Sequence, residues 1–201
     1  MSNLIFVSGL ALLLGGVIWG ITSILHPNNY EPNATASRFW KPAIGGQAIS
    51  YLLLVLGMVG LHVRQAELAG ILGLIGFILA LFGSALTFAT NLNMTYLLPP
   101  LNAQQPTPKT VTELVGPSGP LRWLSFLTAS YLITFVPGYI LMGAAVVNAG
   151  VLPALAGWLL IIGMIVSNVG AFFKPIFILR NIGGVVFGIG LAWLGIALMV
   201  G

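Results

Sequence analysis

His62–Thr90 reads HVRQAELAGILGLIGFILALFGSALTFAT, a charged corner followed by an apolar run longer than the core helix of a small soluble domain needs. Its small residues Ala69, Gly73, Gly76, Ala80, Gly83, Thr87 and Thr90 recur four and three apart, so they share one helical stripe. In lipid, apolar burial alone does not drive helices together, and small residues let two backbones gain van der Waals contact. The stripe therefore predicts a helix central to a membrane bundle.

The rest of the chain supports that class. Apolar residues make up 58% of the 201 residues and charged residues 5%, which leaves too little polar surface for a water-soluble shell. No polar stretch is long enough to enclose a core of its own, so one domain over residues 1–201 is expected. Without cysteine there is no disulfide framework and no thiolate chemistry. The net charge of +4 reflects scarce acids rather than a basic cluster, and no nucleic-acid partner is expected.

Six spans follow from the apolar runs, at about 4–25, 42–63, 68–90, 123–147, 154–173 and 182–200. The first lacks the basic start and small-residue cleavage site of a signal peptide and ends at His26-Pro27. Arg64–Glu67 reads as a tight corner that makes spans two and three antiparallel neighbours. Residues 91–122 form the long loop, in which six prolines argue against a long helix, while Thr110-Val111-Thr112-Glu113 matches a capping box. Pro137-Gly138 predicts a kink in span four.

Spans three and five are similar. Leu68, Ala69, Gly70, Leu72, Ile75, Gly76, Ile78 and Gly83 recur at one constant offset as Leu155, Ala156, Gly157, Leu159, Ile162, Gly163, Ile165 and Gly170. Ser50-Tyr51-Leu52 and Ser130-Tyr131-Leu132 precede them. Together they predict a parallel hairpin repeat of spans 2–3 and 4–5 in an all-α polytopic bundle, unlike the inverted repeats of many transporters.

The first, third and fifth loops carry Arg38, Lys41, Lys109, Arg122, Lys174 and Arg180, and the opposite face only Arg64. Read as topology signals, these place the long loops in the cytoplasm and both termini outside a bacterial cell membrane.

Chemistry is sparse. The acids Glu31, Glu67 and Glu113 all lie outside the spans, which argues against a proton relay. Glu31 and Glu113 share a face with His26, but no metal-ligand spacing joins them, so neither a catalytic set nor a metal site is expected. His26 and His62 end spans of opposite direction and cannot be two axial ligands of one haem. Either alone could hold a haem or chlorin, although a helix-end imidazole commonly just complements the helix dipole. Ser167 and Asn168, at membrane depth in span five, are further cofactor contacts or bonds to a neighbouring helix. Trp19, Trp158 and Trp193 could line an apolar cavity with Phe172 and Phe173, and the Gly16/Gly20 and Gly184/Gly188 pairs read as packing seams.

The hairpin R-Q-A-E-L-A-G-I-L-G-L-I-G-F, with I-L-H-P ending span one, F-W-K-P-A opening span two, V-L-P-A-L-A-G-W-L-L at Val151–Leu160 and G-L-A-W-L-G near the end, resembles an uncharacterised family of small bacterial membrane proteins. The resemblance implies six helices and no particular activity. It also implies a histidine after the Trp-x-Pro-Ala opening, where this chain has Ile44 and then Gln47.

Two functions fit. One is a non-enzymatic accessory or structural subunit of a larger membrane complex, with protein partners and a lipid, quinone or pigment in an apolar groove; the cofactor is unknown. The other is a small-molecule carrier or membrane enzyme working at the cytoplasmic face under the 91–122 loop. What that loop covers, a cavity or a neighbouring chain, separates them.

Overall fold

A computed structural model describes residues Ser2–Gly201 as an all-α bundle. Helix α1 spans Ser2–Leu25. The helical stretch Trp40–Ala103 is broken at Gly70, whose φ of 54° and ψ of −149° no L side chain readily adopts, giving α2 (40–69) and α3 (71–103). The short α4 is Val111–Val115, α5 is Trp123–Ala149, α6 is Ala154–Phe172 and α7 is Ile178–Val200. Five helical stretches, α1, Trp40–Ala103 taken as one, α5, α6 and α7, are long and apolar enough to cross a membrane, and the protein is a multi-pass membrane protein.

Two expectations are corrected here. The corner is at Gly70, not Arg64–Glu67: Arg64, Gln65, Ala66 and Glu67 are all good helix formers, and α2 runs on until a residue that can leave the helix. The segment from Asn91 to Ala103 is helix rather than loop, despite Pro99 and Pro100. Each proline removes one amide from the ladder, but its fixed φ suits a helix. The turn beyond is held from outside, because Asn102 Nδ2, with two hydrogens to share, lies within hydrogen-bond distance of the Pro32 carbonyl (3.0 Å), Thr35 Oγ1 (2.9 Å) and the Lys109 carbonyl (3.0 Å), and Oδ1 accepts from the Lys109 amide (2.8 Å). The loop that remains, 104–122, contains α4, opened by the expected capping box in which the Thr110 amide donates to Glu113 Oε2 (2.7 Å) and the Glu113 amide donates to Thr110 Oγ1 (3.2 Å).

The spanning helices close a ring. Helix α1 packs between α2 and α7, α7 on α6, α6 on α5, and α5 on α3. Every residue of the small stripe is buried, and from Gly73 on it lies on α3 and meets α5: a methyl group on Gly76 would stand 2.9 Å from the Met142 nitrogen, and one on Gly83 would stand 2.5 Å from the Phe135 Cα. Helices α1 and α7 cross with the same economy. A methyl group on Gly16 would lie 2.5 Å from the Gly188 carbonyl oxygen, and one on Gly195 would lie 2.5 Å from that of Gly9. Bulk at any of these positions would force the helices apart.

The seams carry the sequence repeat one helix further than the two hairpins. Gly76 and Gly83 of α3 abut Met142 and Phe135 of α5, and Gly138 abuts Ala80 in return. Their counterparts Gly163 and Gly170 of α6 abut Phe187 and Arg180 of α7, and Gly183 abuts Ser167. One offset relates α3 to α6 and another relates α5 to α7, so the two crossings are equivalent contact by contact. The start of the repeat differs: Gly70 breaks a helix, whereas Gly157 sits inside α6 against Gly143.

The kink expected in α5 takes the form of a π-helical turn at Tyr131–Phe135, just before Pro137. The wider turn accommodates the carbonyl that Pro137 cannot bond. It also turns Phe135, fully buried, into the ring centre. There Phe135 stacks on Trp19 (centroids 5.7 Å, 7°), and Tyr51 and Phe187 meet the Trp19 indole edge-on at 4.9 and 5.0 Å. This aromatic plug divides the bundle. Toward the termini the interior is filled by Leu54, Met58, Met142, Leu160, Leu191 and Leu194. Toward the long loops it is not filled.

Candidate functional site

Between the plug and the loops lies a cavity of about 280 Å³, lined from α1, α2, α3, α5, α6 and α7. Its floor is Trp19 and Tyr51, and Asn29, Tyr30, Val111, Thr112 and Val115 line it on the loop side. The elements on that side are packed together. Helix α4 buries Val111 and Leu114 in a second apolar cluster with Trp40, Ile44, Leu98 and Leu124, and the Val111 amide donates to the Asn29 carbonyl (3.1 Å). The Tyr30 hydroxyl donates to the Ala171 carbonyl (3.0 Å), tying the first loop to the end of α6.

The wall of the cavity is polar as well as aromatic. Helix α3 presents Thr87, Thr90 and Asn91, whose side chains donate back to the carbonyls of Gly83, Leu86 and Thr87 on their own helix. Asn168 likewise donates to the Met164 carbonyl (2.8 Å), and Ser167 Oγ donates to the Arg180 carbonyl (3.1 Å) across the α6/α7 seam. These bonds satisfy side chains inside lipid at little cost to the helix. Two buried groups are left over. Trp19 Nε1–H has no acceptor and Asn29 Oδ1 has no donor, and both residues line the cavity. A buried polar atom without a partner is uncommon and calls for an explanation.

Arg180 supplies the charge. It stands near the start of α7, half-buried, and lines the cavity rather than turning out to the headgroups. Its Nη2 donates to Gln47 Oε1 at 3.4 Å and its Nη1 to Asn181 Oδ1 at 3.5 Å, two long bonds to neutral acceptors. The Phe177 ring lies 5.8 Å from its Cζ. None of the chain's acids, Glu31, Glu67 and Glu113, lines the cavity.

Three of the four sequence candidates meet here: His26, Ser167 and Asn168 all line this cavity. His26 Nδ1 lies 2.7 Å from the Pro27 carbonyl, which can only accept, so the proton is on Nδ1 and Nε2 keeps its lone pair. Burial, and next the charge of Arg180, hold this imidazole well below its usual pKa against the opposing pull of Pro27, and it is neutral at pH 7. His62 is elsewhere, on the far side of the plug, stacked on Phe77 with centroids 4.4 Å apart. Of the aromatic residues expected around a cavity, Trp19 and Phe172 line it, whereas Trp158, Trp193 and Phe173 are on the outer surface. Among the described residues no group of three His, Asp or Glu side chains is arranged to hold a metal ion.

Several lining residues were not singled out from sequence. Arg180 reads there as a topology signal, and in the structure its side chain also lines the cavity. Tyr51 and Tyr131 both line the cavity, and their matching Ser-Tyr-Leu contexts are the signal that places them together. Gln47 and Ile44, which stand where the resemblance implies a histidine, line it too. Comparison with family models, with curated proteins and with solved structures gives no match.

Proposed function

We propose that this is a small-molecule binding protein of the membrane, a carrier or receptor that takes its ligand into the cavity above the aromatic plug. The observation that carries this reading is a cavity in the bundle interior lined by polar side chains and by Arg180, whose guanidinium has only two long bonds to neutral acceptors. At about 280 Å³ the cavity is at the small end of ligand pockets, which run to roughly 300–1,000 Å³. The 104–122 segment packs over this cavity through Val111, Thr112 and Val115, which favours the carrier reading over an accessory subunit with a ligand in an apolar groove.

With Arg180 set aside, five basic residues on the loop face against Arg64 on the other still favour a cytoplasmic loop face in a bacterial cell membrane, with both termini outside. Arg64 donates to the Gly201 oxygen at 3.0 Å, which accords with its being on the terminal face. The R-Q-A-E-x-A-G hairpin supports grouping the chain with the small six-span bacterial proteins it resembles, and that grouping brings no activity with it.

The chain has no cysteine, so single substitutions report cleanly on access. Thr90→Cys and Asn168→Cys line the cavity, and Ser84→Cys sits below it, bonded in the native chain to the Tyr139 hydroxyl at 2.9 Å. In inverted membrane vesicles a small charged thiol reagent should modify the first two and spare the third. If neither lining cysteine reacts, the cavity is not a binding space; if they react only in right-side-out vesicles, the orientation is reversed.

A further inference from the structure

An arginine near the end of a membrane helix ordinarily extends outward, its stem in the hydrocarbon and its head among the lipid phosphates. Arg180 does the opposite and reaches across the bundle to Gln47 of α2. A guanidinium keeps its charge at any accessible pH, and a charge drawn out of water is tolerated when an opposite charge is hydrogen-bonded to it. The cavity offers no such partner: its acceptors for Arg180 are two amide oxygens, and no acid lines it. Arg180 is the strongly basic side chain on the lining, and no acidic one stands there to balance it.

Resting on the ligand-binding reading above, we infer that the ligand is a small organic carboxylate whose anionic end pairs with Arg180 and whose flat, unsaturated body lies among Trp19, Tyr51 and Tyr131. One cation matches a monoanion better than a phosphate monoester, and the planar fork of a guanidinium matches the two oxygens of a carboxylate. A phospholipid head is a poorer fit, since the cavity holds only about 280 Å³ and Asn29, Tyr30, Val111 and Thr112 line its headgroup side.

Thermal unfolding of the detergent-purified full chain tests this with 4-hydroxybenzoate and indole-3-acetate, each beside its neutral primary amide, and with a short-chain phosphatidylglycerol. Both carboxylates are expected to raise the unfolding midpoint of the wild-type protein and the amides are not. Losing a charge-assisted pair should weaken carboxylate binding about ten- to a hundredfold in Arg180→Gln, with part of it restored in Arg180→Lys. Without ligand, Arg180→Gln should unfold no earlier than wild type, because it removes a charge that has no partner. A lower ligand-free midpoint would make Arg180 a structural residue and overturn the inference. So would equal stabilisation by amides and carboxylates, no shift with either carboxylate, or an Arg180-dependent shift with phosphatidylglycerol alone. The cysteine labelling separates the two levels: reactive Thr90→Cys and Asn168→Cys alongside any of these outcomes leaves the cavity standing and removes only its charge preference.

Discussion

The α3/α5 and α6/α7 crossings are the same piece of architecture used twice, with an aromatic ring exchanged for a charged side chain at one position. Where Gly83 of α3 meets Phe135 of α5, Gly170 of α6 meets Arg180 of α7. In the first pair the large side chain is an aromatic ring, fully buried, that completes the plug with Trp19 and Tyr139. In the second it is a guanidinium that leaves the cavity open and charged. The glycines that allow close approach are common to both, so the packing does not dictate the difference. A repeat of this kind separates what holds helices together from what the interior does.

The sharpest way to break the comparison is through the seams. Gly83→Leu places a side chain where even a methyl group would lie 2.5 Å from the Phe135 Cα, and Gly163→Leu does so where it would lie 2.7 Å from the Phe187 Cα. Overpacking commonly costs about 1–3 kcal/mol, and a backbone neighbour that cannot rotate away puts these at or beyond the top of that range. Both variants should lose the monodisperse peak in size-exclusion chromatography of detergent extracts. If one elutes normally and the other does not, the two crossings are not mechanically equivalent.

The second test is at the residue that differs. Phe135→Ala removes a ring from a filled core, where such changes cost about 3–5 kcal/mol, and should lower the unfolding midpoint markedly. Arg180→Gln, at the equivalent position, should lower it little or not at all. Comparable losses would mean that Arg180 is packing material like its counterpart.

Much of this was legible in sequence, and the part that was not has a physical reason. The seven-residue small stripe announced a seam, because spacing alone fixes which residues share a helical face, and all seven are buried. The repeat was visible at Gly76, Gly83, Gly163 and Gly170 because glycines at a seam cannot be exchanged for larger residues. The extent of α3 was hidden, since what carries it past Pro99 and Pro100 is Asn102 bonding to residues as distant as Pro32. The site was half visible: His26, Ser167 and Asn168 are polar groups in an apolar chain, but nothing local says that Arg180 turns inward. Its direction depends on Gln47, which lies on another helix far away in sequence.

The histidines give a smaller contrast across the plug. His26→Ala enlarges the cavity and removes an acceptor from its wall, whereas His62→Ala removes a ring stacked on Phe77. Neither should alter the visible absorption of the purified protein, since the two imidazoles lie on opposite sides of the plug and, among the described residues, no group of three ligating side chains is gathered at either. A band present in wild type and missing from either variant would assign that imidazole to a pigment or haem.

The smallest expected effect is at the roof, where the cavity is bounded not by interlocked aromatic rings as at the plug but by α4, a single turn with a capping box at its start and Val111 and Leu114 in the second apolar cluster. Glu113 is exposed, and the hydroxyl of Thr110, then its amide, and more weakly Lys109, hold the carboxyl below its ordinary pKa. A carboxylate depressed in the folded state contributes stability that is fully present above its unfolded value of about 4.3 and is lost as the pH falls through the folded one. The cap should therefore be intact at neutral pH and loosen in acid. Thr110→Ala removes the cap hydroxyl at a cost of about 0.5–2 kcal/mol to this short helix, much less to the bundle as a whole. Amide hydrogen exchange at Val111–Val115 should rise in this variant at pH 7 while exchange in α3 and α6 is unchanged. If the roof loosens without any gain in labelling of Thr90→Cys from the loop face, α4 is not what controls entry to the cavity.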